Sequence, residues 1–184
     1  MSFQSNEPVT LTRDVDAIAV PSGLRGKLPE GTTGAITQAL GGSFTLFVQG
    51  NLYRIAGTDA DALDKEPLAQ PTLDENASDE DVEKLVWEQL HTCFDPEIPI
   101  NIVDLGLVYK CEVTHLDDGN RKVRIDMTLT APGCGMGSVI QDDVKSKVEL
   151  IPTVSLAEVE LVFDPPWDRD MMSDAAKLET GMYY

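Results

Sequence analysis

RKVRIDMTLTAPGCGMGSVIQDDVKSKV, residues 121–148, carries two periodicities joined by a glycine-rich hinge. Val123, Ile125, Met127 and Leu129 alternate with Arg124, Asp126, Thr128 and Thr130, the period-two pattern of a strand with one buried face. Past the hinge, Ile140, Val144 and Val148 form a stripe at helical spacing with Val139 beside them. Upstream, Asp117-Asp118-Gly119-Asn120 reads as a turn, and Leu107, Tyr109, Cys111 and Val113 alternate with polar neighbours ahead of it. Ser78 precedes Val82, Leu85, Val86 and Leu90 at helical spacing, with Asp81 three residues on as a capping-box acid. Asp79, Glu80 and Asp81 sit where the helix dipole favours negative charge, and the helix ends before Asp95-Pro96. Downstream, Val159, Leu161 and Phe163 read as the inward face of a third strand, and a short helix is expected around Ser173–Glu179. The order α-β-β-α-β predicts a three-stranded sheet with helices on one face, and the fold class α+β.

The stretch PLAQPTLDENASDEDVE, residues 67–83, is a break in character: two prolines, then six acids. Ahead of it, residues 8–66 are rich in Gly, Thr and Val, with extended runs at Ala17–Val20, Gly34–Thr37, Ser43–Val48 and Leu52–Ala56. Gly50-Asn51 suggests a tight hairpin between the last two. The expected organisation is a small β-rich, barrel- or sandwich-like domain over 1–70, an acidic linker over 71–77 and the α/β domain over 78–184.

The 184 residues hold 14 Lys+Arg against 32 Asp+Glu, a formal net charge of −18. Residues 71–184 alone hold 24 acids and 9 bases. So acidic a surface repels phosphates, which argues against nucleic acid and anionic membranes as partners. No apolar run approaches the length of a membrane helix, and the N-terminus lacks the pattern of a secretory signal. Three cysteines, Cys93, Cys111 and Cys134, are an odd set without a C-x-x-C pair, which points to a reducing, cytoplasmic setting. Two histidines, His91 and His115, are too few for a conventional zinc site.

The hinge TLTAPGCGMG, residues 128–137, is the strongest chemical feature. A cysteine where a strand hands over to a helix lies near unpaired N–H groups and a positive dipole end, which favour a thiolate. Gly133, Gly135 and Gly137 leave room beside Cys134, and Thr128 and Thr130 share a side of their strand and offer hydroxyls. The alternative is a small buried core thiol, as expected of Cys111 on its apolar face. In DPEIPINIVDLGLVY, residues 95–109, Asp95 and Glu97 form a stiff acidic loop between prolines. It suits an oxygen ligand or a thiol-orienting group, or else turn chemistry with Asp104 capping the entry into the strand. In Asp164-Pro165-Pro166-Trp167 two prolines stop the last strand, and Trp167 shields a site or covers the edge of the core.

These three segments, in this order and spacing from Ser78 to Tyr184, resemble the MIP18-type domain family of iron–sulfur assembly factors. The family includes SufT and the D subunit associated with phenylacetyl-CoA oxygenase; the β-rich N-terminal segment and the MMSDAAKLETGMY tail resemble the SufT branch. The resemblance implies an α/β sandwich and an accessory, non-enzymatic role in iron–sulfur cluster assembly or delivery. It places the family's characteristic cysteine on Cys134, the acids of its D-P-E motif on Asp95 and Glu97, and the threonine of its cysteine loop on Thr130. Where many relatives carry a second threonine this chain has Ala131. Implied cargo is a transient iron–sulfur cluster or iron held at Cys134; implied partners are iron–sulfur assembly proteins and client apo-proteins. A cluster asks for about four ligands, so one thiol calls for a homodimer, a partner's ligands or a small thiol. Two other readings stand beside it: an adaptor that binds no cluster, and a thiol enzyme with Cys134 as nucleophile.

Overall fold

Ser78 and Asp81 do what their spacing predicts. The Ser78 hydroxyl accepts the Asp81 N–H at 3.2 Å and the Asp81 carboxylate accepts the Ser78 N–H at 3.0 Å. This closes the capping box at the start of α1 (Asp79–Leu90). The structure, a computed structural model, describes residues 6–131, 133 and 135–181, and the chain divides into two units, residues 1–69 and 70–184.

In the second unit, β7 (Val108–His115) and β8 (Arg121–Met127) form an antiparallel hairpin. Helix α2 (Gly137–Val148) crosses over to β9 (Val154–Leu161), which lies parallel to β8, giving a sheet in the order β7-β8-β9. A parallel neighbour needs such a crossover, and α2 supplies it. Helices α1 and α2 pack against each other, α1 on β7 and α2 on β9. Between helices and sheet lie Val82, Val86, Leu90, Val123, Ile125, Met127, Ile140, Val144 and Val148, all but sealed from solvent. The opposite face of the sheet carries ion pairs: Lys110–Glu112 at 2.9 Å, Lys122–Glu158 and Arg124–Glu160 at 2.7 Å. Exposed pairs contribute about 0–1 kcal/mol each, so the apolar alternation fixes which face turns inward. One expectation fails here. Strand β9 ends at Leu161, its inward residues are Ala157, Val159 and Leu161, and Phe163, two residues past its end, is 48% exposed.

The segment after β9 folds back over the turn that precedes β7. The Trp167 indole N–H donates to the Leu105 carbonyl at 2.7 Å, the Tyr109 hydroxyl to the Pro165 carbonyl at 2.8 Å, and the Ser173 N–H to the Asp104 carbonyl at 2.8 Å. Trp167 therefore covers the edge of the core. Gly106 takes φ +71°, and a Cβ there meets the Met171 carbonyl, so a side chain is excluded where the tail crosses. Ser173 caps α3 (Asp174–Thr180), and Met172 and Ala176 complete the core. Arg121 is buried at the start of β8. Its guanidinium donates to Asp79 at 2.6 Å, the Thr153 hydroxyl at 2.8 Å and the Ala77 carbonyl at 2.9 Å, tying the strand to the beginning of α1.

Among the described residues the strands of the first unit join in one six-stranded antiparallel sheet: β1 (Glu7–Thr10), β2 (Val15–Val20), β3 (Arg25–Leu28), β4 (Thr33–Leu40), β5 (Ser43–Val48) and β6 (Asn51–Ile55), in the order β1-β4-β5-β6-β2-β3. Its core gathers Leu11, Val15, Ile36, Leu46, Ile55 and Leu63, the last from a short 3₁₀ segment, Gly57–Leu63. The β5–β6 turn is Gln49-Gly50, one residue earlier than expected. Val48 pairs with Asn51, and the two turn residues take φ +49° and +88°, matching the twist of the flanking strands. The sequence expectation also missed β1 and β3, which end the sheet. Each is four residues long, one holding Pro8 and the other Arg25 and Lys27, residues that blunt a sheet edge.

Candidate functional site

Strand β8 does not stop abruptly at Met127. The Thr128 N–H donates to the Leu107 carbonyl at 2.8 Å, and the chain runs on toward the hinge. Opposite it lies the loop between α1 and β7. The Cys93 carbonyl accepts the Ile102 N–H at 2.9 Å, Phe94 bridges Asn101, and the Asp95 N–H donates to the Ile100 carbonyl at 3.1 Å, which folds residues 95–100 into a closed turn. Lys147 of α2 reaches under this loop. Its ammonium donates to the Thr92 carbonyl at 2.7 Å and pairs with Asp143 at 3.2 Å, both side chains largely buried.

Asp95 is the pivot of the loop, only 4% exposed. One carboxylate oxygen accepts the N–H groups of Glu97 and Ile98, each at 2.9 Å, and the other lies 3.4 Å from the Thr130 hydroxyl, a long contact in which Thr130 donates. Burial pushes the Asp95 carboxyl above the usual carboxylate range, the two N–H donors oppose that shift, and the Glu97 charge adds to it. The turn-forming role and the contact with the cysteine hinge thus belong to the same side chain.

The other expected residues fall into place separately. Glu97 is exposed. Thr128 is 1% exposed, and its hydrogen bond to Tyr109 partly offsets the burial that pushes the Tyr109 hydroxyl up. Cys134, the central residue of the expected site, lies outside the described residues, as does Pro132. The glycines beside them have backbone reasons of their own. Gly133 takes φ +86°, and a Cβ at Gly137 would meet a Leu129 methyl at 2.9 Å, so α2 starts close against the Leu129 side chain.

The remaining thiols are poor nucleophiles. Cys93 is fully buried, with its sulfur 3.5 Å from the Gln89 carbonyl. Cys111 is half-buried, and burial, with Glu83 and Glu112 nearby, pushes its thiol up to about 12. His91 is exposed, its ring 2.7 Å from the Trp87 carbonyl at the end of α1, and His115 sits 3.4 Å from Asp79. Among the described residues no three His, Cys, Asp or Glu side chains come together in a metal-holding group. Sequence reasoning missed Lys147 and Asp143 beneath the loop and read Asp104 as the cap that Asn101 supplies: the Asn101 side chain accepts the Asp104 N–H at 2.8 Å. The four-residue spacing of Asp143 and Lys147 was the available signal for the first.

The segment that holds this arrangement has known relatives. Residues 83–161 match the family model described as iron–sulfur cluster assembly protein. A Staphylococcus aureus protein named Fe-S protein maturation auxiliary factor SufT is 48% identical over 88 residues, covering 48% of this chain and 96% of the relative. The chain belongs to the iron–sulfur cluster assembly protein family. A Porphyromonas gingivalis Fe-S protein maturation auxiliary factor is 42% identical over 99 residues, covering 54% of this chain and 90% of that protein. The Bacillus subtilis Fe-S protein maturation auxiliary factor YitW is 38% identical over 104 residues, covering 56% and 98%. The family model falls entirely within the second unit, where the Asp95–Thr130 contact lies.

Proposed function

We propose that the protein is an auxiliary factor in the maturation of iron–sulfur proteins, working through the hinge 128–137 with Cys134 as its thiol. The observation that carries this reading is the contact of buried Asp95 with Thr130, inside the segment matched by the family model. It ties the acidic loop to the strand end from which the cysteine hinge departs. Relatives named as maturation auxiliary factors support the role. The burial of Cys93 and the high pKa of Cys111 support Cys134 as the thiol that works. A position ahead of α2 favours its thiolate in an otherwise acidic unit.

In this reading the cluster or iron is cargo, received from assembly proteins and passed to client apo-proteins in the cytoplasm. The chain is an accessory factor and not an enzyme. Asp95 is a positioning residue: its oxygens face two backbone donors and a hydroxyl, so it orients the loop more naturally than it binds metal. A cluster takes about four ligands, so Cys134 is joined by a second copy, a partner's ligands or a small thiol. With one candidate thiol in this chain against the roughly four ligands of a cluster, a second reading stands beside the first: an adaptor that docks assembly proteins and carries no cluster.

Cys134→Ser, with folding checked by circular dichroism, is expected to lower client iron–sulfur enzyme activity in cells. Unchanged client activity in a strain dependent on this protein rejects the thiol reading. Anaerobic reconstitution with iron counting separates the two readings. Iron retained by the chain, alone or with a partner, supports carriage, and none retained supports the adaptor.

A further inference from the structure

The sheet of the first unit has two unlike faces. Antiparallel partners share a side of a sheet, so the strand registers assign each residue to a face. Ile36, Leu46, Val48 and Ile55 turn to the core and are at most 5% exposed. On the other face, Pro8 of β1 lies opposite Ala35 of β4, and Ala35 opposite Phe47 of β5. Phe47 in turn lies opposite Leu52 of β6, and Leu52 opposite Val20 of β2. An apolar row thus crosses five neighbouring strands, about 19 Å at the usual strand spacing. None of its residues is buried, and Phe47 at the centre is 47% exposed. Single apolar residues facing water are ordinary, but a contiguous row of them marks a contact surface.

Charge decides what fits there. The charged residues of the six strands are Glu7, Asp16, Arg25, Lys27 and Arg54. Glu7 lies opposite Ile36, on the core side, and pairs with Lys65 at 2.6 Å. The other four share the face of the apolar row. Arg25 and Arg54 both lie opposite Ile18, one on each side of it, a single pleat away from Val20 and Leu52. Arg54 donates to the Ser43 hydroxyl at 3.0 Å, which lays its guanidinium along this face. Lys27 lies opposite Asp16, with 3.9 Å between their charged groups. Three cations against one carboxylate make the face positive, in a chain whose net charge is −18. Aromatic and arginine side chains are also those that concentrate in protein interfaces.

We propose that this face of the first unit docks a segment of a partner protein in which carboxylates flank large apolar side chains. The apolar row receives the side chains, and Arg25, Arg54 and Lys27 receive the carboxylates. Nucleic acid fits less well, because a phosphate chain extends beyond the face and meets the acids of the rest of the chain. A few carboxylates need only the cations beside them, within the screening length of about 8 Å. The inference is independent of the role of Cys134. The row lies outside residues 83–161, which the family model matches, and gives the first unit a task of its own.

The test places the photo-crosslinker benzoyl-phenylalanine at Phe47 of the full chain in cells. Ala35 serves as a second site on the row, and Glu30, an exposed turn residue, as the control away from it. Peptide mass spectrometry identifies each adduct. The expected result is one dominant adduct at Phe47, absent at Glu30, with a segment of another protein rich in Asp and Glu beside Leu, Ile or Phe. Arg25→Glu combined with Lys27→Glu, with folding checked by circular dichroism, should lower its yield at least about fivefold, since like charges then face each other. An adduct with a second copy of this chain, with nucleic acid or with a segment lacking carboxylates overturns the proposal. So does a yield untouched by the charge reversal, or no adduct beyond that of the Glu30 control. If the crosslinker at Phe47 disturbs folding, Ala35 decides by the same readings.

Discussion

Replacing Asp95 separates positioning from charge. In Asp95→Ala the N–H groups of Glu97 and Ile98 lose an acceptor at 2.9 Å each, and Thr130 loses its 3.4 Å contact. Each of the two good bonds contributes about 0.5–1.5 kcal/mol net, and the third is too long to add much. The expected loss is roughly 1–3 kcal/mol, a fall of about 1 M in a urea midpoint. Asp95→Asn keeps an oxygen for both backbone donors and lifts the cost of burying a charge, so it should lose far less. The pH dependence gives the sign. The folded Asp95 carboxyl is raised by burial, so its contribution is fully present below the ordinary carboxylate pKa and declines as pH rises through the folded value. Parent stability measured against Asp95→Asn should therefore fall from acid to neutral pH. Urea unfolding of the three proteins from pH 3 to 8 measures all of this. A difference that grows with pH, or Asp95→Asn as damaged as Asp95→Ala at pH 7, refutes the positioning role and makes the carboxylate charge itself the requirement. Client enzyme activity should follow the same order, near normal in Asp95→Asn and reduced in Asp95→Ala.

Ser78→Ala removes the N-cap of α1 and should cost about 1 kcal/mol near neutral pH. Ser78 also holds the Asp81 carboxyl below its usual range. That contribution is present above the ordinary carboxylate pKa and lost as pH falls through the folded value, so the gap between variant and parent should narrow in acid. Thermal melts from pH 3 to 7 check this, and a gap independent of pH counts against the capping box. For the thiols, iodoacetamide at pH 8 should modify Cys134 well before Cys93 or Cys111, because the first is buried and the second titrates near 12. Peptide mass spectrometry reads the order, and labelling of Cys111 at the rate of Cys134 would contradict it.

Much of the fold was legible because local rules and global packing agree. The box at Ser78–Asp81, the alternation from Val123 to Met127 and the stripe of Ile140, Val144 and Val148 all appear where spacing puts them. The errors came where spacing is silent. Phe163 continues the alternation, yet β9 has ended by then and the ring is half exposed. In the first unit β1 and β3 are too short to give a period, and the β5–β6 turn slipped by one because Gln49 accepts the positive φ that Gly50 advertises.

By itself the sequence determined the element order of the second unit and its acidic character. These depend on residue type and spacing along one stretch of chain. Only the tertiary structure decided that β9 runs parallel to β8, that Asp95 meets Thr130 across 35 residues, and that Lys147 and Asp143 lie buried beneath the acidic loop. Each is a contact between side chains or strands distant in sequence. Such contacts exist only once the apolar faces have packed and fixed which polar groups come within hydrogen-bonding reach.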